Sequence, residues 1–330
     1  MKNFWGHTLI KHGLAAAALA LSCIPLAMAA NRFPTKTVRI VVPSAAGGLA
    51  DVTARLVAKK MSENLGQPVI VDNRPGADTL LGTRLVKDAP ADGYTLLLQS
   101  DGIAVWPALM DQPGYNLEKD FAGVGPILKF PFVLVVGPQQ PDKTLAGFMA
   151  RAKANPKTLS YASGGVGTPS HIAAAIFLQQ TGLDVLHVPY KGNAAAITDI
   201  VGGRVDMLFD TSATSAGNIK TGKLRALGVS SNTRLQSLPD VPTFAEQGVH
   251  NASYYSWIGL LAPAATPKDV LQRLSEALRS AVSSEELNEK FRSDGSEPMV
   301  MSPEEFNKYL KGQLGQMSKL AADLKLPKRQ

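Results

Sequence analysis

Beyond its first thirty residues the chain alternates short β-branched runs with longer amphipathic segments, and that alternation restricts the fold more than any other feature of the sequence. Residues 38–42 (VRIVV), 69–72, 95–99, 132–136, 159–162, 185–188, 205–210, 224–229 and 256–262 have the length and composition of strands. Between them, residues 51–65, 145–154, 170–181 and 194–201 carry the helical period, and 268–282 and 303–324 form a helical tail without further strands. Strands that alternate with helices imply mainly parallel sheets flanked by helices. Some 300 residues suffice for two lobes, each with its own core. No internal repeat or low-complexity linker interrupts the pattern.

The opening segment reads as a signal peptide over residues 1–29. Lys2, Lys11 and His12 give it a basic start, the apolar stretch 14–26 is too short to span a bilayer, and Ala27-Met28-Ala29 is a small-x-small cleavage signal. Cleavage after Ala29 is expected, sending the mature chain to the periplasm; an uncleaved anchor, against which the lack of a polar stop-transfer flank speaks, and lipid attachment at Cys23, in a poor lipoprotein context, are the lesser alternatives. The single cysteine, Cys23, lies in that leader, so the mature chain has no thiol for a disulfide or a nucleophile. The formal net charge is +7, of which Lys2 and Lys11 contribute two, and the remaining excess is scattered rather than clustered beside aromatics. No nucleic-acid partner is expected from such a surface.

Two strand-to-helix junctions carry small residues where a ligand can approach backbone. The strand at 38–42 runs into Pro43-Ser44-Ala45-Ala46-Gly47-Gly48 and then a helix near Asp51. The strand at 159–162 runs into Ser163-Gly164-Gly165-Val166-Gly167-Thr168 and a helix carrying His171. Ligands of open α/β sheets bind at the carboxyl ends of strands, where helix N-terminal N–H groups and the helix dipole favour anions. The two junctions are expected to act as matched anion cradles facing one cleft. Two apparent nucleotide motifs fail: Gly217-Asn218-Ile219-Lys220-Thr221-Gly222-Lys223 has Leu224 where magnesium needs a hydroxyl, and Gly165-Val166-Gly167 has Ser170 where a dinucleotide fingerprint needs Gly or Ala. His187 and His250 have no partner at metal-ligand spacing, so no metal and no cofactor is expected.

Read in order, the junctions and their flanks resemble the Bug family, the extracytoplasmic receptors of tripartite tricarboxylate transporters. The resemblance is carried by Phe33-Pro34-Thr35-Lys36, Val38-Arg39-Ile40-Val41-Val42-Pro43, Ala46-Gly47-Gly48 with Asp51 and Ala54-Arg55, Leu65-Gly66-Gln67-Pro68-Val69, Asn73-Arg74-Pro75-Gly76-Ala77, Asp92-Gly93-Tyr94-Thr95-Leu96-Leu97 and Lys119-Asp120-Phe121. It continues through Tyr161-Ala162-Ser163, Gly167-Thr168 with His171, His187-Val188-Pro189-Tyr190-Lys191-Gly192, Leu224-Arg225-Ala226-Leu227 and Leu238-Pro239-Asp240-Val241-Pro242-Thr243. The resemblance implies a two-lobed α/β binding protein of type II, with residues 30–131 and 255–330 in lobe 1, 132–254 in lobe 2, and crossing strands at 132–136 and 255–260. It implies a monomer that holds a small carboxylate by backbone amides and passes it to two membrane subunits of a transporter. Carried over residue by residue, the ligand contacts are Ala46, Gly47 and Gly48 in one lobe and Ser163, Gly167, Thr168 and His171 in the other. The sequence departs from the family pattern at Ser44, where an aromatic is usual, and at Asp78, where a glycine is usual.

The remaining candidates each have a plain structural alternative. Asp51 caps its helix or shapes the ligand loop. Asp78 and Asp101 face the cleft or are solvated loop residues, and His171 donates to ligand as a neutral ring or is a satisfied structural histidine. Asp210 and Thr211 stand at a strand's carboxyl end, and Lys191 steers anions from the rim or is merely solvated. Two rival functions remain open: an exported enzyme on the same scaffold acting on a carboxylate, and a ligand receptor for a sensor kinase. No G-x-S-x-G elbow is present, and Ser163 with His171 has no evident orienting acid.

Overall fold

A computed structural model describes residues 33–326 and 328. The expected leader, 1–29, lies outside them. Strand β1 (Val38–Val42) runs parallel to both β2 (Val69–Asn73) and β3 (Thr95–Ser100). Four of its five side chains are fully buried, which is what a central VRIVV run requires. Helix α1 (Leu49–Leu65) carries the chain from β1 to β2 and stops at Gly66, whose left-handed backbone turns its N–H onto the Ser62 carbonyl. Helix α2 (Leu80–Lys87) links β2 to β3, and α3 (Gly102–Leu109) and α4 (Leu117–Asp120) lead on to β4 (Phe121–Pro131). The long strand β10 (Tyr255–Pro263) inserts antiparallel between β3 and β4, and β11 (Glu297–Pro298) closes the far edge.

The second sheet has the order β7-β6-β8-β5-β9, built from β5 (Val133–Val136), β6 (Ser160–Ser163), β7 (Leu186–Pro189), β8 (Met207–Asp210) and β9 (Arg225–Val229). Here β6, β7 and β8 are parallel while β5 runs against β8 and β9. Helices α5 (Leu145–Ala154), α6 (Pro169–Thr181), α7 (Asn193–Val201) and α8 (Ser212–Lys220) cover it. In each sheet the strand that arrives from the other sheet, β10 or β5, runs against both of its neighbours. The tail returns to the first sheet: α9 (Lys268–Val282) packs on α1 and β4, α10 (Glu285–Ser293) follows, and α11 (Pro303–Asp323) packs on α3 and β4. Helix α11 starts with a complete capping box between Ser302 and Glu305.

The two lobes are joined at a tightly bonded crossing. Only Phe132 separates β4 from β5. Its N–H donates to Ser230 Oγ at 2.8 Å and its carbonyl accepts from the Ser230 N–H at 2.8 Å. Ser230 in turn donates its hydroxyl to the Tyr254 carbonyl at 2.8 Å, just before β10 begins the return crossing. The Phe132 and Tyr254 rings stack with centroids 5.9 Å apart.

Several elements differ from the sequence-based expectation. Strand β4 was not expected, because Gly123, Gly125 and Pro126 disfavour strands. The structure explains two glycines: a Cβ on Gly123 or Gly259 would lie 2.7 or 2.6 Å from the Phe306 ring, so both leave room for that side chain. Phe306 meets Trp257 edge to face at 5.5 Å in the core of the first lobe. Helices α2, α3, α4, α8 and α10 are also additional, and β11 places a short strand in a tail expected to be helical throughout.

Candidate functional site

Helices α1, α6, α7 and α8 begin at the same place. Their N-cap residues Gly48, Thr168, Gly192 and Thr211 all line one cavity of about 140 Å³ between the two sheets. In none of the four does the cap side chain accept from a first-turn backbone N–H of its helix. First-turn N–H groups have no intrahelical partner, so the cavity collects the positive ends of four helix dipoles. Among the described residues, no Lys, Arg or His lines it. Its walls are otherwise apolar at Pro43, Leu98, Phe130, Phe132 and Ile258, with hydroxyl and amide groups from Ser44, Gln99, Ser100, Ser170 and Asn193. Ser44 Oγ is buried there without a hydrogen-bond partner.

The first glycine-rich turn leaves its helix end open. Gly47 adopts φ +87°, and its N–H donates to Asp51 Oδ2 at 2.9 Å. Burial pushes the Asp51 carboxyl up, but Arg55, with Nη2 2.9 Å away, and the Gly47 N–H outweigh it and hold it below the usual range. Asp51 therefore shapes the loop from behind. Ala46 and Gly47 are exposed on the loop's outer edge, whereas Ser44, Gly48, Leu49 and Ala50 face the cavity.

The second turn is closed on itself, which corrects the expectation of matched cradles. Gly164 N–H donates to Ser170 Oγ at 2.9 Å, Gly165 N–H to Ser163 Oγ at 3.1 Å, and Gly167 N–H to His171 Nδ1 at 3.1 Å. Thr168 N–H reaches the Gly165 carbonyl, and Val166 N–H crosses the cleft to Asp78 Oδ1 at 3.2 Å. Helix α6 then opens on Pro169, which has no N–H to offer. Ser163, Gly167 and His171 thus lie behind the loop: His171 accepts rather than donates, in a stack of Tyr161, His187 and His171 with ring centroids 4.7 and 4.3 Å apart. Burial, with a smaller contribution from His187, lowers the His171 pKa to about 3. Burial also lowers that of His187 to about 4, against an opposing pull from Asp78. Both rings are neutral at pH 7.

The chain matches the family described as tripartite tricarboxylate transporter family receptor over residues 53–326. The chain belongs to that family. Solved structures agree with the assignment. The periplasmic binding protein BugD is 32% identical and superposes with a TM-score of 0.86, covering 90% of this chain and 100% of its own. Rpa4515 of R. palustris, solved with adipate, is 31% identical with a TM-score of 0.85 over 89% of this chain and 99% of its own. MatC of Rhodopseudomonas palustris, solved with bound malate, is 28% identical with a TM-score of 0.82 over 87% and 99%. Among the described residues of this receptor, no helix is long and apolar enough to cross a membrane.

The receptor places its other candidate residues in three settings. Asp210 and Thr211 line the cavity; Asp210 accepts from Asn193 Nδ2 at 3.0 Å and Thr214 Oγ1 at 2.7 Å, and burial raises its pKa. Lys191 is exposed at the outer mouth of the cleft, beside Asp78 and Tyr190. Asp101 does not line the cavity. It is buried at the crossing, accepting from Tyr254 Oη and, at 2.7 Å, from Ser256 Oγ, and burial raises its pKa to about 6. Sequence reasoning passed over Gly192 and Asn193, although a strand leading through glycine into a helix with no Ser, Thr or Asp cap is the same signal that marked the first turn.

Asp78 sits on a strained strap. Ala77, Asp78 and Thr79 have φ of 46°, 51° and 81°, a run of left-handed non-glycine residues that costs roughly 1–2 kcal/mol at each. The strap is held by Trp106, whose indole N–H donates to the Asp78 carbonyl at 3.2 Å.

Proposed function

We propose that this protein is a periplasmic solute-binding receptor that closes its two lobes on a small carboxylate and delivers it to the membrane subunits of a tripartite transporter. The convergence of four helix N-termini, that of α1 left open, on one cavity whose wall among the described residues holds no lysine, arginine or histidine carries this reading. Fixed N–H groups in a dry site form charge-assisted bonds with a carboxylate, and little side-chain ordering is needed to present them. In this reading the carboxylate docks on the α1 end, with Gly48, Leu49 and Ala50 as donors and Ser44 Oγ beside them. Thr168, Asn193 and Thr211 close from the other lobe. Family membership and the adipate and malate held by two relatives support the ligand class and the transport role.

The serine–histidine pair beside the second turn does not favour an enzymatic role on this scaffold. Ser163 Oγ lies 2.6 Å from His187 Nε2, but Ser163 is fully buried and its Oγ also bonds within its own turn. A substrate has no path to it. The receptor reading is tested by thermal shift and calorimetry over a panel of aliphatic, hydroxylated and aromatic carboxylates, since a ligand that binds only the folded state raises its apparent stability. One or more members should raise Tm in a dose-dependent way without being consumed. Turnover of a bound acid, or no stabilisation by any carboxylate, would defeat the proposal.

A further inference from the structure

The second glycine-rich turn sits where a strand meets a helix N-terminus, the ordinary place for an anion, and a carboxylate already occupies it. That carboxylate is Asp78 of the opposite lobe, accepting from Val166 N–H at 3.2 Å. The turn is shaped around it: Gly165 has φ +127°, and a Cβ there would lie 2.6 Å from Asp78 Oδ1. The strap that delivers Asp78 holds three successive left-handed residues and is pinned by the Trp106 indole. Such strain persists only where the surroundings enforce the conformation.

We propose that Asp78 is a built-in substitute for one ligand carboxylate, which makes this receptor selective for solutes carrying a single carboxylate. The inference rests on the carboxylate-receptor reading and narrows its ligand class. A solute bound with its carboxylate at the uncapped α1 end directs its other end toward the second lobe. There it meets Asp210 in the cavity wall and Asp78 at the mouth, with no cationic side chain in the inner wall. Lys191, at the mouth, is exposed and its charge is screened by solvent. A second carboxylate at that end is repelled by two aspartates and finds the turn's amides already engaged. An uncharged hydroxyl or an ammonium group is accommodated, since both aspartates are acceptors.

The test compares acids of equal chain length, hexanoate with adipate and butyrate with succinate, by calorimetry on the full mature protein. Wild type should bind the monoacid of at least one pair more tightly than the diacid. Asp78→Asn keeps an oxygen that accepts from Val166 and removes the charge, and Asp78→Gly removes both and relieves the strap. Each should shift the monoacid-to-diacid ratio toward the diacid by about tenfold, the scale of one like-charge contact removed from a closed site. A thermal melt confirms that the variants remain folded. A wild type that prefers the diacid, or ratios unchanged in both variants, overturns the assignment of Asp78 while leaving the receptor reading intact. Failure of wild type to bind any carboxylate overturns both.

Discussion

The two glycine-rich turns look interchangeable as sequence, Ser44 to Gly48 in one lobe and Ser163 to Thr168 in the other, yet the structure uses them differently. The first leaves the start of α1 open: Asp51 takes the Gly47 N–H from behind, and the next amides face the cavity. In the second, every N–H from Gly164 to Thr168 has a protein acceptor, and the helix opens on proline. Small residues permit a close approach of backbone, but they do not say what approaches. In one turn the space is kept for a solute, and in the other it is filled by a histidine, two serine hydroxyls and an aspartate from across the cleft. Changes at the first turn should therefore move affinity, and changes at the second should move stability.

The largest effect is expected at the second turn. His171→Ala removes a buried stacked ring and the acceptor of the Gly167 N–H, and should cost roughly 2–4 kcal/mol in denaturant melts, with ligand affinity changed far less. The same ring gives the turn a pH signature. His171 and His187 have folded pKa values of about 3 and about 4, below the ordinary histidine value. Their contribution to stability is complete above about pH 6.5 and lost as the pH falls through the folded values. Melts at pH 7.5 and 4.5 should show that loss, and it should shrink in His171→Ala.

Next in size is Leu49→Pro. Leu49 is the first residue of α1, where proline is well accepted, so the substitution deletes one cavity-facing donor with little strain. Affinity for the best carboxylate should fall by about 1.5–3 kcal/mol by calorimetry, with Tm almost unchanged and Leu49→Ala as the side-chain control. Ser44→Ala removes the unpartnered hydroxyl and should weaken binding by about 1 kcal/mol while leaving the ligand-free protein as stable as before. Smallest of all should be Pro169→Ala, which restores an N–H at a helix start whose loop is already closed; affinity should change by less than about 0.5 kcal/mol. An effect there as large as that of Leu49→Pro would erase the distinction between the turns.

The frame of the molecule was legible because its central strands are buried on both faces. Runs such as VRIVV and the segment 132–136 admit few other readings. Strand β4 was not, since its Gly123 answers to the Phe306 ring of a helix some 180 residues later in the chain. Helix α3 escaped because Gly102 to Trp106 and Leu109 are buried together, which erases the amphipathic period, and Pro107 lies within it. Ser44, Gly48, Thr168, Asp210 and Thr211, which strand ends and the family resemblance single out, line the cavity. Asp101 was misplaced for a local reason: it does stand just past β3, but its carboxylate is taken by Tyr254 and Ser256, partners more than 150 residues away that no local pattern reveals. Which amides are already satisfied is equally invisible to a sequence, because hydrogen-bond closure depends on rotamers rather than on residue type.

The crossing sets the mechanics of capture. With one residue between β4 and β5, and with both backbone groups of Phe132 tied to Ser230, there is no slack loop on which a lobe can swing. Opening has to be taken up as torsion distributed along an extended ribbon running from residue 121 to 136, with the β10 crossing turning beside it. A ribbon twists about its own length far more readily than it bends within the plane of its sheet, so the jaw should travel along a single fixed arc and return in register.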